Sequence, residues 1–229
     1  MTRAHLSGDG SSPSPEQLRE FQRRMGPPEN ELPGAIAFHA VVGRTDEFVV
    51  AIVGCDAYST GISISLAIRL RHSDRSEPGL AHELFGRRHR GASGGELLVG
   101  VAYPDGRTAT NVSAPFPDPL VDPDGPTLTQ GGGGGGGRSF STDYWLSPLP
   151  PPGDLTVVVA WPIHGIDETH TLMPADLIAD GLARNMELWP WEPPADHDEP
   201  PTPEPPVLPE GGWFADHMPD NPPHASETQ

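Results

Sequence analysis

Several stretches carry residue types able to do chemistry, and the spacing of each names a reaction. Gly91-Ala-Ser93-Gly-Gly95 has the G-x-S-x-G form of a nucleophile elbow, which would make Ser93 the nucleophile of an acyl transfer. That chemistry needs the serine on a sharp strand-to-helix turn, facing a histidine. Here an Arg/His-rich loop precedes it and a strand pattern follows, so the context fails. His82-Glu83-Leu-Phe-Gly86 begins like a zinc-protease helix, but Gly86 stands where the second histidine must be. His164, Asp167, Glu168 and His170 offer nitrogen and oxygen ligands of the kind zinc takes. On a regular strand His164 and His170 would share a face, too far apart to hold one ion. Asp118, Asp122 and Asp124, with Gly125, miss the alternate-position ligands and closing Glu of a calcium loop. The glycines Gly131 to Gly137 contain G-x-G-x-x-G trivially. They lack the Gly-Lys-Ser/Thr of a phosphate loop and precede a strand pattern, which predicts a long flexible hairpin loop. No catalytic residue, metal site or cofactor is expected from these motifs.

Two features point instead to binding. The net charge is −18, and every cation is an arginine. Against that background Arg69, Arg71, Arg75, Arg87, Arg88 and Arg90, with His72, His82 and His89, concentrate positive charge in one region, a dock for an acidic partner. Trp213, Phe214 and Met218 interrupt a C-terminal stretch otherwise rich in proline and acid; exposed aromatics there imply burial against this domain or another protein. An acidic chain repels phosphate backbones, which disfavours nucleic acid as a partner. The partner expected is another protein.

The elements that must position these residues are strands. Ile62, Ile64, Leu66, Ile68 and Leu70 alternate with Ser63, Ser65, Ala67, Arg69 and Arg71. Side chains on a strand point to opposite faces with a period of two, so one aliphatic face is buried and the register is strongly specified. Ile36 to Val42 alternates before it, and Phe48 to Val53 is apolar on both sides, as in a strand covered on both faces. Leu97 to Tyr103, the turn Pro104-Asp105-Gly106 and Arg107 to Ser113 read as a hairpin. Phe140 to Leu146, Leu155 to Trp161, and an edge strand within Ile163 to Leu172 complete the set. Leu177, Ile178, Leu182, Met186 and Trp189 fall on one face of a helix over 174–189, with Gly181 allowing close approach and Pro190 ending it.

These elements predict an all-β domain over 34–191: a two-sheet antiparallel sandwich, immunoglobulin-like as first choice, with the C-terminal helix packed on it. A barrel or jelly roll is the alternative, and the Cys…Trp…Cys hallmark is absent because Cys55 is the single cysteine. Residues 1–33 read as a mostly disordered arm with a short amphipathic helix at 14–26, where Ser14 caps, Pro15 starts and Gln17 completes a capping box. Residues 192–229 read as a disordered acidic, Pro-rich tail, because such composition buries too little apolar area to offset ordering entropy. One unpaired cysteine, no signal-like N-terminus and no apolar run of membrane-spanning length set the expectation of a cytoplasmic protein.

Tyr58-Ser-Thr-Gly61-Ile-Ser-Ile, the glycine run before Asp143-Tyr-Trp145, Leu149-Pro-Pro-Pro-Gly153 and Ala160-Trp-Pro-Ile-His-Gly-Ile-Asp-Glu168 together resemble a group of actinobacterial β-rich proteins. The resemblance spans about 34–191 and implies a recurring β domain, with no activity to carry over. The expected function is a non-enzymatic protein-interaction module. A hydrolase or metal-dependent enzyme and a structural subunit of a larger assembly are the competing classes.

Overall fold

A computed structural model describes residues 24–72, 96–112 and 125–192. The described residues form twelve strands: β1 Glu31–Leu32, β2 Gly34–Ala35, β3 Ala40–Arg44, β4 Phe48–Tyr58, β5 Gly61–Leu70, β6 Leu98–Ala102, β7 Thr108–Thr110, β8 Thr127–Gly136, β9 Ser139–Ser147, β10 Leu155–Trp161, β11 Ile166–Met173 and β12 Met186–Glu187. A helix, α1, spans Ala175–Leu182. All pairings are antiparallel. The larger sheet runs β2-β4-β5-β9-β8, with β3 also on β4; the smaller runs β11-β10-β6-β7; β1 pairs β12. Among the described residues no helix is long and apolar enough to cross a membrane.

The predicted alternation of β5 is realised. Ile62, Ile64, Leu66, Ile68 and Leu70 are buried between the sheets, and Arg69 is exposed on the other face. Its neighbours supply Phe48, Val50 and Ile52 from β4 and Phe140, Thr142, Tyr144 and Leu146 from β9. The smaller sheet answers with Val99, Val101, Leu155, Val157, Val159 and Trp161, closing one core. At one edge the two sheets meet: the hydroxyl of Thr169 in β11 donates to the carbonyl of Val42 in β3. Gly43 has no room there for a side chain, since a Cβ would lie 2.7 Å from Ile166 Cγ2. At the other edge the Asn111 amide, just past β7, donates to the Tyr144 hydroxyl of β9 over 3.4 Å.

Four sequence expectations are corrected. The glycine run is not a hairpin loop: Gly131 to Gly136 extend β8, which pairs with β9, and only Gly137 and Arg138 make the turn. A ladder partner supplies what glycine's own propensity lacks, and Gly135, at φ 153°, lies so close on Phe140 that a Cβ would sit 2.6 Å from its Cα. β4 runs on past the apolar stretch Phe48 to Val53, as far as Tyr58. A register shift between Ile52 and Gly54 inserts one residue and keeps Cys55 and Ala57 in phase with the buried set, so the apolar period breaks while the strand continues. Its second face is not covered throughout, for Val53 is 45% exposed. The helix over 174–189 ends at Leu182. The N–H groups of Ala183, Arg184 and Asn185 turn back onto the preceding carbonyls, and Met186 pairs with Leu32. Met186 and Trp189 therefore stand 57% and 56% exposed instead of lining the helix face. Lastly, Pro162–His164 is a 3-10 turn, so the strand predicted from Ile163 starts at Ile166.

Gly181 does permit the close approach read from the sequence. A Cβ on Gly181 would lie 2.7 Å from Ile36 Cγ1, and one on Gly34 only 1.8 Å from the Gly181 carbonyl oxygen. Of the helix predicted at 14–26, Arg24 and Met25 are helical and 14–23 lie outside the described residues.

Candidate functional site

The outer face of the larger sheet divides into a basic end and an acidic end. Directly paired residues share a face, so Arg44, Val49, Arg69, Ser139 and Gly136 form one row across β3, β4, β5, β9 and β8. Strands lie about 4.8 Å apart, which puts the Arg44 and Arg69 backbones about 10 Å from each other. Arg71 follows Arg69 on the same face, and Arg138 sits in the β8–β9 turn beside Ser139. The ladder continues past the strand end: the Leu70 N–H donates to the Arg138 carbonyl (3.0 Å) and the Arg71 N–H to the Glu47 carbonyl (2.9 Å). These cations are thus held on ordered backbone. All four are exposed.

Among the described residues none of the four pairs with a carboxylate. Arg69 Nη1 donates to the carbonyls of Ile68 and Phe140, both at 3.1 Å, so its guanidinium leans over β9 toward β8. Arg138 Nη1 donates to the Arg71 carbonyl at 3.4 Å. In water-exposed positions such bonds leave most of the guanidinium fork available, and arginine's planar donors suit carboxylate oxygens.

The acidic end is built from β4, β5 and β9 beyond the bulge, where Ser63 pairs Asp56 and Trp145, and Ser65 pairs Asp143. The Ser65 hydroxyl donates to Asp143 Oδ1 at 2.6 Å. Burial, and then the neighbouring Asp143 charge, raise the Asp56 carboxyl above its ordinary value. Trp145 is 3% exposed although it lies on this outer face, with the Tyr58 ring edge-on at 5.5 Å. Its indole N–H and the Thr60 hydroxyl are buried without hydrogen-bond partners.

Of the candidate binding residues, Arg69 and Arg71 are brought together on this face; Arg75, Arg87, Arg88, Arg90, Trp213, Phe214 and Met218 lie outside the described residues. So do Ser93, His82, Glu83, Asp118, Asp122 and Asp124. The His/Asp/Glu group near β11 is dispersed. His164 sits in the 3-10 turn with its ring 4.3 Å from those of Phe48 and Trp161, whereas Glu168 and His170 form an exposed pair at 2.9 Å. Among the described residues no three His, Cys, Asp or Glu side chains are placed to hold a metal ion. Sequence reasoning missed Arg44 and Arg138. By alternation from Val42, Arg44 would share the buried face, and a register shift between Val41 and Gly43 carries it to the outer one; Arg138 joins the cluster only once the glycines are read as a strand. No family model, curated protein or solved structure matches this chain.

Proposed function

We propose that the chain is a non-enzymatic protein-binding module whose basic sheet end docks an acidic segment of a partner protein. The observation that carries this reading is the cluster of Arg44 and Arg69 in one row with Arg71 and Arg138 beside them, which among the described residues have no carboxylate partners, on a chain of net charge −18. A strongly acidic protein has carboxylates to spare for neutralising surface cations, and these four exposed arginines, of which Arg69 and Arg138 contact carbonyls, form a local field of opposite sign. Within a Debye length of about 8 Å that local field outweighs the distant net charge.

The scaffold we read as immunoglobulin-like. What supports this is strand order: β4-β5-β9-β8 facing β11-β10-β6-β7 follows the A-B-E-D and G-F-C-C′ arrangement. Consecutive hairpins β4–β5, β6–β7, β8–β9 and β10–β11 alternate between the sheets in the same sense. Kinship with the actinobacterial β-rich group is likewise part of this proposal and rests on the motifs quoted above.

The test is charge removal. Replacing Arg44, Arg69, Arg71 and Arg138 by Ser should weaken partner capture about tenfold or more at low salt, at roughly 0.2–1 kcal/mol per exposed ionic contact. The loss should shrink as salt rises. An unchanged set of captured partners at both salt concentrations would sink the reading.

A further inference from the structure

The basic row runs up to the longest open β-edge among the described residues. The β11 edge is closed against β3 by the Thr169–Val42 hydrogen bond and carries Asp167, Glu168 and His170. β7 is three residues long, and α1 covers β2 through Gly34 and Gly181. β8 differs. Its first residues run beside β7, but Gly131 to Gly136 are exposed, and past a bulge at Gly131 and Gly132 the residues Gly133 to Gly136 pair, among the described residues, with β9 alone. A Cβ at Gly132, Gly134 or Gly136 would meet nothing within 4 Å, so internal packing does not require glycine there. In such an edge, alternate residues aim both N–H and C=O away from the sheet; the Leu70–Arg138 bond sets the phase, so Gly134 and Gly136 bond to β9 while Gly133 and Gly135 are ready to pair.

We infer that the partner's acidic segment binds as an added strand on the β8 edge, with its side chains facing the arginine row. This rests on the function proposed above and specifies its geometry. Main-chain hydrogen bonds to β8 would supply affinity, and side chains alternating along the added strand would supply selectivity. A carboxylate on the residue opposite Gly136 would point to the same face as Ser139 and Arg69. No tall side chain stands between, since the intervening positions are a glycine and a serine. Arg138, in the adjoining turn, is the nearest cation, and Arg69 already leans toward it over β9. A second copy of this chain is the poorer occupant. Two six-residue glycine edges carry almost no side-chain area toward the ~800 Å² per partner of a stable dimer, and two chains of charge −18 repel.

The probe is a fluorescein-labelled eight-residue peptide of alternating valine and glutamate, followed by anisotropy against the full chain. Two comparison peptides accompany it: one with alternate amides N-methylated, and one with lysine in place of glutamate. Both should bind at least tenfold more weakly. Gly133→Pro, which removes an N–H aimed at the open edge, should weaken the glutamate peptide about tenfold, whereas Gly134→Ala, for which there is room, should stay within twofold. Arg69→Ser with Arg138→Ser should cost about tenfold at low salt and far less at 0.5 M. Equal binding of the N-methylated peptide, with the arginine variant still impaired, would overturn strand addition and leave the charge-based function standing. Equal binding of the lysine peptide would overturn the acidic partner. No binding by the glutamate peptide up to 1 mM overturns the inference outright, as does a dimer in sedimentation equilibrium that Gly133→Pro dissociates. The N-methylated peptide needs no change to the protein, so it decides the matter even if Gly133→Pro fails to fold.

Discussion

Replacing Gly34 by Ala should be among the most destabilising single-methyl changes this domain can receive. The added Cβ would stand 1.8 Å from the Gly181 carbonyl oxygen, 2.8 Å from its carbonyl carbon and 2.9 Å from the Asn185 nitrogen. All three are backbone atoms, so no rotamer change relieves them. To reach an ordinary contact near 3.4 Å, the end of α1 must withdraw by more than an ångström. That lifts Ile178 and the half-buried Leu177 and Leu182 from the core and strains the β1–β12 pairing that follows the helix. Overpacking of this kind typically costs about 1–3 kcal/mol, and partial loss of one buried aliphatic side chain adds about 1–2 kcal/mol. The sum, about 2–5 kcal/mol, should lower the melting temperature by roughly 5–15 °C for a domain of this size. Thermal and urea unfolding followed by circular dichroism would measure it. Gly132→Ala supplies the opposite control: nothing lies within 4 Å of its Cβ, and lost freedom in the unfolded chain should stabilise by about 0.4–1 kcal/mol. A Gly34→Ala protein within 0.5 kcal/mol of wild type would refute the claim that backbone contact fixes the helix on the sheet.

Leu66→Ala, at a fully buried position in the centre of β5, should cost about 2–5 kcal/mol by urea unfolding. Thr169→Val should cost about 0.5–1.5 kcal/mol and speed amide exchange in β3, because it removes the hydroxyl joining β11 to the Val42 carbonyl; unchanged exchange in Val41 to Arg44 would contradict that role. Burial, with Asp56 second, pushes the Cys55 thiol up to about 12 from 9.0. The unfolded chain therefore loses this proton first, and stability present below pH 9 declines between about pH 9 and 12. Cys55→Ala should make stability fall less steeply across that window in chemical denaturation at stepped pH, and an unaltered slope would reject the assignment. Native Cys55 should also resist iodoacetamide at pH 8 until the domain unfolds.

The parts of the fold legible in the sequence are those where one physical rule acts alone. In β5 and β10 the aliphatic alternation runs from end to end because each is flanked by two partners and faces one core; β9 keeps it as far as Tyr144, after which Trp145 is buried on the outer face as well. Legibility fails where two effects compete. In β4 the inserted residue breaks the period that the ladder preserves. In α1 the apolar spacing runs on through Met186, but pairing with Leu32 takes the chain first. The glycine run fails most completely, for glycine has no side chain to alternate, and its strand is imposed by β9 from outside. Only half of the candidate site was therefore readable. Arg69 and Arg71 follow from β5's own pattern, whereas Arg138 depends on a turn whose position is set by the hidden strand.

That dependence bears on what the glycines do. Six glycines in a strand weaken it by roughly 0.5–1 kcal/mol each relative to alanine. Among them, Gly135 is required by its contact with Phe140, yet Gly132, Gly134 and Gly136 have open space around them. A chain that guarded its edges by charge alone would place lysine or glutamate there, as β11 places Asp167, Glu168 and His170. Leaving the β8 edge bare keeps the line between Arg69 and anything beyond Gly136 unobstructed. Were glutamate at Gly136, it would neutralise Arg69 across Ser139 and abolish the basic end from within. Gly136→Glu is therefore the sharpest single discriminator of the two roles glycine could have here. If the run is only a tolerated weak strand, Gly136→Glu should be neutral for stability and for binding of the valine–glutamate peptide. If the bare edge serves the arginine row, stability should hold while that peptide's affinity falls about tenfold.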